Sequence, residues 1–115
     1  MPILEIKTNI NIPKENHGAF LKKASCLLAK LLGKPEAYVC VILEPNVSMT
    51  FAGTTEPCAL VRVNSIGRLG LKENKGYSAK LAELLSELGI PADRFYVFFT
   101  DLAGQDTGYN GTTFA

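Results

Sequence analysis

Two stretches of equal length decide the fold: residues 28–43 read LAKLLGKPEAYVCVIL, and residues 84–99 read LLSELGIPADRFYVFF. Each starts in a leucine-rich segment typical of a helix and ends in a run of β-branched and aromatic residues typical of a strand. Between them, Gly33 recurs as Gly89 at an offset of 56 residues (33 to 89), and a proline follows each glycine two positions later. Glycine suits the left-handed position after a helix, and the proline prevents its continuation. The chain therefore contains two helix-then-strand units.

Upstream of each glycine, apolar residues recur three and four positions apart, as they do along one face of an α-helix. These residues are Phe20, Ala24, Leu27, Leu28 and Leu31 in the first unit, and Leu81, Leu84, Leu85 and Leu88 in the second. Downstream, residues 38–43 and 95–99 are almost continuously apolar. Such runs are typical of parallel strands that are buried on both faces.

The same offset extends to the residues before each helix. Leu4 corresponds to Leu60 and Ile10 to Ile66 (4 to 60 and 10 to 66), so each unit also opens with a strand-like segment. One offset across a whole unit indicates a duplicated βαβ motif, and the copies are too few for a solenoid. We predict a single α+β domain over residues 1–115, in which two helices lie on one face of a four-stranded mixed sheet.

Two smaller features complete the predicted fold. Residues 49–51 follow a turn and favour a short edge strand. Asn110-Gly111 favours a type I′ turn and predicts a hairpin between residues 107–109 and 112–114. A hairpin of this size is marginal alone, so we expect it to dock on a larger surface. The second face of the sheet also needs a cover, which self-association would supply.

Composition excludes several classes of protein. Of 115 residues, 47% are hydrophobic and 20% are charged, as in folded domains and unlike disordered chains. The net charge of +1 is too small for a nucleic-acid footprint or an anionic-membrane footprint. RNA-binding sheets share the predicted element order, but they need exposed stacking aromatics that residues 60–63 lack. No signal-peptide pattern and no apolar run of ~20 residues is present, so we expect a cytoplasmic protein with no membrane or nucleic-acid partner.

The sequence offers no metal or cofactor site. The one histidine, His17, stands at a predicted helix start, and the cysteines Cys26, Cys40 and Cys58 show no paired spacing. A zinc site needs three or four ligands, so we expect neither a metal nor a cofactor. An odd number of unpaired cysteines fits a reducing compartment.

The unusual feature is Pro2, which directly follows Met1. A small second residue normally permits removal of the initiator methionine, and the freed proline is then a secondary amine. An α-amino group has a pKa of around 7.7–8.0, and burial or a nearby cation lowers that pKa toward neutrality. Such a base can abstract a proton near neutral pH and contribute on the order of 10²–10⁴ in rate. If Met1 is retained, the nitrogen of Pro2 is an amide and cannot act as a base.

Motifs along essentially the whole chain resemble the macrophage migration inhibitory factor family of the tautomerase superfamily. They are Met1-Pro2, Thr8-Asn9, Gly33-Lys34-Pro35 with Tyr38, Glu56-Pro57-Cys58-Ala59-Leu60, Ser65-Ile66-Gly67, Asp93-Arg94 with Tyr96, and Thr113-Phe114-Ala115. The resemblance implies a homotrimer of βαββαβ subunits with active sites between subunits. It also implies interconversion of the keto and enol forms of phenylpyruvate-like or dopachrome-like substrates, without a cofactor.

The roles that the resemblance implies agree with the chemistry of the residues. Pro2 would be the general base and acid. Lys34 would bind the carboxylate or the enolate oxygen of the substrate, because a compact ammonium stabilises developing charge; a lysine after a helix C-terminus is also favoured by the helix dipole alone. The other implied substrate-binding positions are Tyr38, Ser65, Ile66, Tyr96, Phe98, Thr107, Tyr109 and Phe114, with Tyr96 coming from the adjacent subunit. For each of these strand and aromatic residues, packing in the core or on the surface is the alternative.

The sequence also departs from the family pattern. Phe98 stands where animal members have an asparagine, so the pocket should still accept an aryl ring but loses an amide hydrogen-bond partner. Val61, three positions after Cys58, stands where the family has a second cysteine. A dithiol cycle needs both sulfurs. We therefore expect no thiol-disulfide oxidoreductase activity. Thr107 and Tyr109 replace the usual valine and tryptophan, which alters the rim of the pocket.

Three functional hypotheses follow from these residues. The first is a keto–enol tautomerase that acts on enolisable keto acids through Pro2. The second is a cytokine-like signalling or binding protein with a vestigial pocket, because relatives act as cytokines. The third is a nucleic-acid-binding module with a ferredoxin-like order of elements, which the low charge and the missing aromatics disfavour.

Overall fold

A four-stranded mixed sheet carries both helices on one of its faces. The computed structural model describes residues 1–115 and contains strands β1 (Pro2–Thr8), β2 (Cys40–Glu44), β3 (Ala59–Ser65) and β4 (Phe95–Asp101), helices α1 (His17–Leu32) and α2 (Leu71–Ser86), and a hairpin of β5 (Gly108–Tyr109) and β6 (Thr112–Thr113). The strand order is β2-β1-β3-β4. The outer pairs are parallel and the central pair β1/β3 is antiparallel. The predicted α+β architecture and element order are confirmed.

The two βαβ units end their helices in the same way. Gly33 has φ 62° and Gly89 has φ 80°, both in the left-handed region. After the first helix the N–H of Lys34 donates to the carbonyl of Ala29 at 3.1 Å, and after the second the N–H of Ile90 donates to that of Leu85 at 3.2 Å. Both bonds span the helix C-terminus as in a Schellman cap. The duplication that the sequence predicts therefore extends to individual hydrogen bonds.

The core lies between the sheet and the two helices. On β1 and β3 every second residue is buried and faces the helices. The predicted helix faces are confirmed in most positions, but Leu27, Leu31 and Leu88 are only half-buried, Leu32 is buried in addition, and Leu88 lies beyond the end of α2. The buried apolar residues of the helices are Phe20, Ala24, Leu28, Leu32, Leu81, Leu84 and Leu85. Packing of this stripe against alternating strand residues fixes the register of the sheet, because a slip of one residue would turn the apolar set outward.

The other face of the sheet is open in the single chain. On the outer strands Ile42, Tyr96 and Phe98 are 43%, 63% and 49% exposed. The expectation that these strands are buried on both faces is therefore wrong for one chain taken alone. Large apolar side chains on an uncovered face are typical of a surface that another molecule covers.

Three smaller predictions had different outcomes. The hairpin is confirmed, and Asn110 and Gly111 have the positive φ values, 52° and 80°, that a type I′ turn requires. Tyr38 ends a short 3₁₀ turn and does not begin the second strand, because Pro35 directs the chain into that turn first. Residues 49–51 form no strand, and only one isolated bridge joins Phe51 to Thr54.

None of the helices is both long and apolar enough to cross a membrane.

Candidate active site

The start of β1 and the end of β3 lie side by side. Pro2 is the register partner of Ser65, and both side chains are fully buried on the helix-facing side. β1 begins at Pro2, and Met1 is attached to the nitrogen of that proline. Removal of Met1 would leave a secondary amine at the edge of the core, next to the residues that follow β3.

Lys34 brings a cation to the same place. The left-handed turn at Gly33 ends α1, and the half-buried Lys34 side chain extends from it toward β3. Its Nζ donates to the carbonyl oxygen of Ile66 at 2.9 Å. An ammonium has three donors, so two remain for another acceptor. The prediction that these residues share a site with Pro2 is consistent with this geometry, because Ile66 directly follows Ser65.

The loop after β3 holds the carbonyl of Ile66 in place. Gly67 and Arg68 both adopt positive φ values, 74° and 64°. The N–H of Gly67 donates to Oδ1 of Asp101 at 2.9 Å, and the hydroxyl of Tyr77 donates to the carbonyl of Arg68 at 2.6 Å. Hydrogen bonds from β4 and α2 thus hold this turn, which includes a positive φ value that non-glycine residues such as Arg68 rarely adopt. No sequence motif points to Asp101 or Tyr77, because both act through contacts that form only in the folded chain.

The α-amino group of Met1 lies in an environment that disfavours a positive charge. Burial, and after it the charge of Lys34, lowers the pKa of the Met1 α-amino group below its usual 8.0. Both influences disfavour a positive charge at this point of the molecule. An amine placed here is therefore biased toward its free-base form, which is the form that accepts a proton.

A cluster of three aromatic rings lies where the C-terminal hairpin packs on the turn after α1. The ring centroids of Tyr38 and Tyr109 are 5.3 Å apart, and those of Tyr38 and Phe114 are 5.9 Å apart, in edge-to-face arrangements. Tyr109 stacks on Phe114 at 5.3 Å. Thr107 is half-buried directly before β5, and its hydroxyl donates to the carbonyl of Ala103 at 3.1 Å. The hairpin therefore packs on Tyr38, four positions after Lys34 in the chain, and three of the predicted site residues contact one another.

The remaining predicted site residues, Tyr96 and Phe98, lie elsewhere in the chain. Tyr96 is the register partner of Leu60, which is five residues along β3 from Ser65. At about 3.3 Å per residue that separation is about 17 Å. Tyr96 also lies on the open face of the sheet, whereas Ser65 lies on the helix face. One chain therefore does not bring Tyr96 to Pro2.

Tyr96 lies two positions after Arg94 in the chain and packs against Phe51, from the segment for which the sequence predicts an edge strand. The ring of Phe51 packs against that of Tyr96 at 5.1 Å, and the guanidinium of Arg94 lies 5.6 Å from the centre of the Phe51 ring. Arg94 also donates to the carbonyls of Pro57 at 2.9 Å and Glu56 at 3.0 Å. On the same face, the guanidinium of Arg62 lies 5.7 Å from the centre of the Phe98 ring. A loop far away in sequence thus supports the exposed tyrosine.

The histidine, cysteine and acidic side chains do not assemble a metal site. No three of them lie close enough together to hold an ion. All three cysteines are free, and Cys58 is fully buried. The charged groups described at the start of β1 are the α-amino group of Met1 and the ammonium of Lys34, which binds the carbonyl of Ile66.

Known proteins share this arrangement over the whole chain. The family model for macrophage migration inhibitory factor matches residues 1–115. A homolog of that factor from Trichuris trichiura is 45% identical over 116 residues, which cover 99% of this chain and 100% of the relative. The factor from Rattus norvegicus is 40% identical over 116 residues, with 100% of both chains covered. A crystal structure of a homologue from Prochlorococcus marinus is similar with a TM-score of 0.93 at 38% identity, covering 98% of this chain and 99% of that one.

Proposed function

The chain belongs to the macrophage migration inhibitory factor family, and from that premise we propose that it is a keto–enol tautomerase of phenylpyruvate-like acids. The base would be the amine of Pro2 after removal of Met1. One observation carries the proposal: Pro2, paired with Ser65, lies beside the Ile66 carbonyl to which Lys34 donates. A proton acceptor and a cation then face the same small volume.

The proposed reaction needs only proton transfers. The Pro2 nitrogen takes a proton from the carbon next to the substrate carbonyl, and the electron pair of that C–H bond forms the C=C bond of the enol. Negative charge develops on the carbonyl oxygen, where the ammonium of Lys34 stabilises it. The protonated amine then returns a proton to that oxygen, so the base is regenerated and no atom is gained or lost. The reverse sequence converts enol to ketone.

We base the proposed substrate class on Lys34 and on the aromatic cluster that includes Tyr38, four positions after Lys34 in the chain. The free donors of Lys34 suit a carboxylate or an enolate oxygen. The rings of Tyr38, Tyr109 and Phe114 suit an aryl group, because aromatic pairs prefer the stacked and edge-to-face contacts that these rings already make with one another. An aryl-substituted 2-keto acid carries both features.

The decisive experiment is phenylpyruvate tautomerisation by untagged protein whose mass confirms the loss of Met1, measured beside Pro2→Gly. We expect kcat/KM to fall by about 10²–10⁴ in the variant, because the positioned base is lost. The matched control is Pro13→Gly, which removes an exposed proline from the loop before α1 and should leave turnover unchanged. Equal turnover by wild type and Pro2→Gly would refute the proposal. No turnover by correctly processed wild type would favour a binding protein with a vestigial pocket.

We further propose that the protein is a homotrimer in which Tyr96 and Phe98 complete the site of a neighbouring subunit. Two features of the chain support this. Both rings lie on the open sheet face, far from Pro2 along the strands. The backbone N–H groups of Ser48, Met49 and Thr50 have no backbone partner within the chain. Unpaired extended backbone is a template for a strand of another copy, so the predicted edge strand would form in the assembly.

Mixing two inactive variants tests this shared site. Pro2→Gly and Tyr96→Ala are each expected to have low activity alone. After unfolding and refolding together in equal amounts, about a quarter of the sites in a closed ring should combine an intact Pro2 with a neighbour's intact Tyr96. Recovery of activity to that fraction, at a mass of three chains by light scattering, would support the proposal. No recovery would place both residues in one chain's own site.

A further inference from the structure

The side chain of Ser65 has an unusual environment. Its hydroxyl oxygen is the only buried side-chain nitrogen or oxygen in the chain without a hydrogen-bond partner, and the residue is 0% exposed. Burying a hydroxyl without a partner costs stability, so native proteins rarely leave one in this state. A substrate that enters from the surface does not reach a side chain with no accessible area. The hydroxyl therefore needs a partner from inside the fold.

The register of the sheet indicates that partner. Pro2 lies directly opposite Ser65, and both side chains point toward the helices. Residues opposite each other in an antiparallel pair have Cβ atoms about 4.5–5.5 Å apart, which places the ring of the proline within reach of the hydroxyl. While Met1 is attached, the proline nitrogen is a tertiary amide with neither a hydrogen to donate nor an available lone pair. Removal of Met1 creates both.

We propose that Ser65 is a positioning residue for the amine of Pro2, and that its hydroxyl acquires its partner only when Met1 is removed. The hydroxyl oxygen accepts from the N–H of the free base, which leaves the single lone pair of the amine free for the substrate proton, and it accepts a stronger bond from the protonated amine. It thereby fixes the direction in which the nitrogen accepts a proton from the substrate. This inference rests on the proposed function of Pro2, and it gives Ser65 a role other than direct binding of the substrate.

The hydrogen bond has a predictable effect on proton affinity. A bond to an ionised group is about twice as strong as one between neutral groups, so the hydroxyl stabilises the protonated amine more than the free base. Three other titratable groups lie on the adjoining elements: Lys34 after α1, Cys40 at the start of β2, and Asp101 at the end of β4. The carboxylate of Asp101 accepts from a backbone N–H. Replacement of Ser65 leaves these groups unchanged.

The test is an NMR titration of ¹⁵N-labelled Pro2 in protein without Met1, for wild type and Ser65→Ala. The pKa of the Pro2 amine is expected to fall by about half to one unit in the variant. The expected kinetic effect is a loss of about tenfold in kcat with KM within about twofold, because the base is misdirected and the binding groups remain. The matched control is Thr8→Val, which removes the other fully buried hydroxyl of this strand pair and should leave the Pro2 pKa unchanged.

Each outcome decides the question. A pKa that Ser65→Ala leaves within 0.2 unit of wild type, or that Thr8→Val shifts equally, would overturn the proposal. The titration needs no substrate, so a selective shift in a protein without tautomerase activity would support the role of Ser65 and reject the proposed function. Thermal melts add a second measurement. Ser65→Ala should lower the melting temperature of the Met1-free protein but not that of protein that retains Met1, where the hydroxyl has no partner to lose.

Discussion

The two ends of the central strand pair differ in how they treat a buried hydroxyl. Thr8 and Ser65 are the only fully buried polar residues of the chain. At one end the hydroxyl of Thr8 donates to the carbonyl of Cys58 at 2.7 Å, and the side chain of Asn9 accepts from the N–H of Cys58 at 2.9 Å. At the other end the hydroxyl of Ser65 has no partner beside Pro2.

The difference indicates that one end of the strand pair contributes mainly to folding stability and that the other end has polar groups free for catalysis. Where Thr8 lies, its hydroxyl and the side chain of Asn9 both bind the backbone of the loop that leads into β3. Where Ser65 lies, a hydroxyl and two donors of Lys34 remain unused. Unsatisfied groups cost stability, so their concentration at one end is expected of a site that is completed by processing and by substrate. The comparison predicts that substitutions at the two ends affect different quantities.

The largest effect in this comparison is expected for Lys34→Ala. Loss of the ammonium removes the charge that stabilises the enolate oxygen, so kcat/KM should fall by about 10²–10³. The free energy of unfolding should change little, because Lys34 is only half-buried and makes one side-chain hydrogen bond. Steady-state kinetics and denaturant melts measure the two quantities. Lys34→Arg is the control that keeps the charge, and it should retain more activity than the alanine variant. A loss of stability without a loss of activity would show that Lys34 stabilises the fold and does not act in catalysis.

The opposite pattern is expected for Thr8→Val. The variant leaves the carbonyl of Cys58 and the N–H of Ile10 without the partner that Thr8 provides. Such losses cost about 1–3 kcal/mol of unfolding free energy, whereas kcat/KM should stay within about twofold because Thr8 is six positions along β1 from Pro2. Thr8→Ser keeps the hydroxyl and should recover most of the stability. A tenfold loss of activity in properly folded Thr8→Val would show that the two ends are coupled.

Tyr77→Phe should have a smaller effect, and one that divides between both quantities. The variant loses the 2.6 Å hydrogen bond from the hydroxyl to the carbonyl of Arg68, which costs about 1 kcal/mol of stability. Because this bond anchors the turn after Ile66, we also expect KM to rise by a few fold. Tyr77→Leu would lose in addition the packing against Phe99 and should be clearly less stable. An unchanged KM would show that the Asp101 anchor alone holds the turn.

The sequence predicted the fold well because its signals are local and occur twice. Glycine and proline end both helices at a fixed offset, and apolar periodicity identifies both buried helix faces. Two of the errors concern segments whose structure the local apolar pattern does not determine. Tyr38 follows a proline that sets a 3₁₀ turn, and residues 49–51 have no strand partner within the chain.

The site was predictable only in part. Pro2 and Lys34 could be named from their chemistry and from the family resemblance, since each carries an identifiable charge or amine. The environment of Ser65 and the contacts of Asp101 could not, because they exist only once the register places β1, β3 and β4 side by side. The contacts of Phe51 with Tyr96 and with Arg94 likewise join segments that are far apart in sequence.

The smallest expected effect is a dependence of stability on pH that comes from the Pro2 end of the strand pair when Met1 is retained. Burial, and secondarily Lys34, lowers the pKa of the Met1 α-amino group in the folded chain below 8.0. The unfolded chain therefore binds more protons between the folded pKa and 8.0, and stability rises as pH rises through that window. Denaturant midpoints at about pH 6 and about pH 8.5 measure this difference. Acetylation of the amine should remove this contribution, and Lys34→Met should reduce it. A midpoint that falls as pH rises through this window, and that acetylation does not alter, would mean that the folded structure does not disfavour the charged amine at the start of β1.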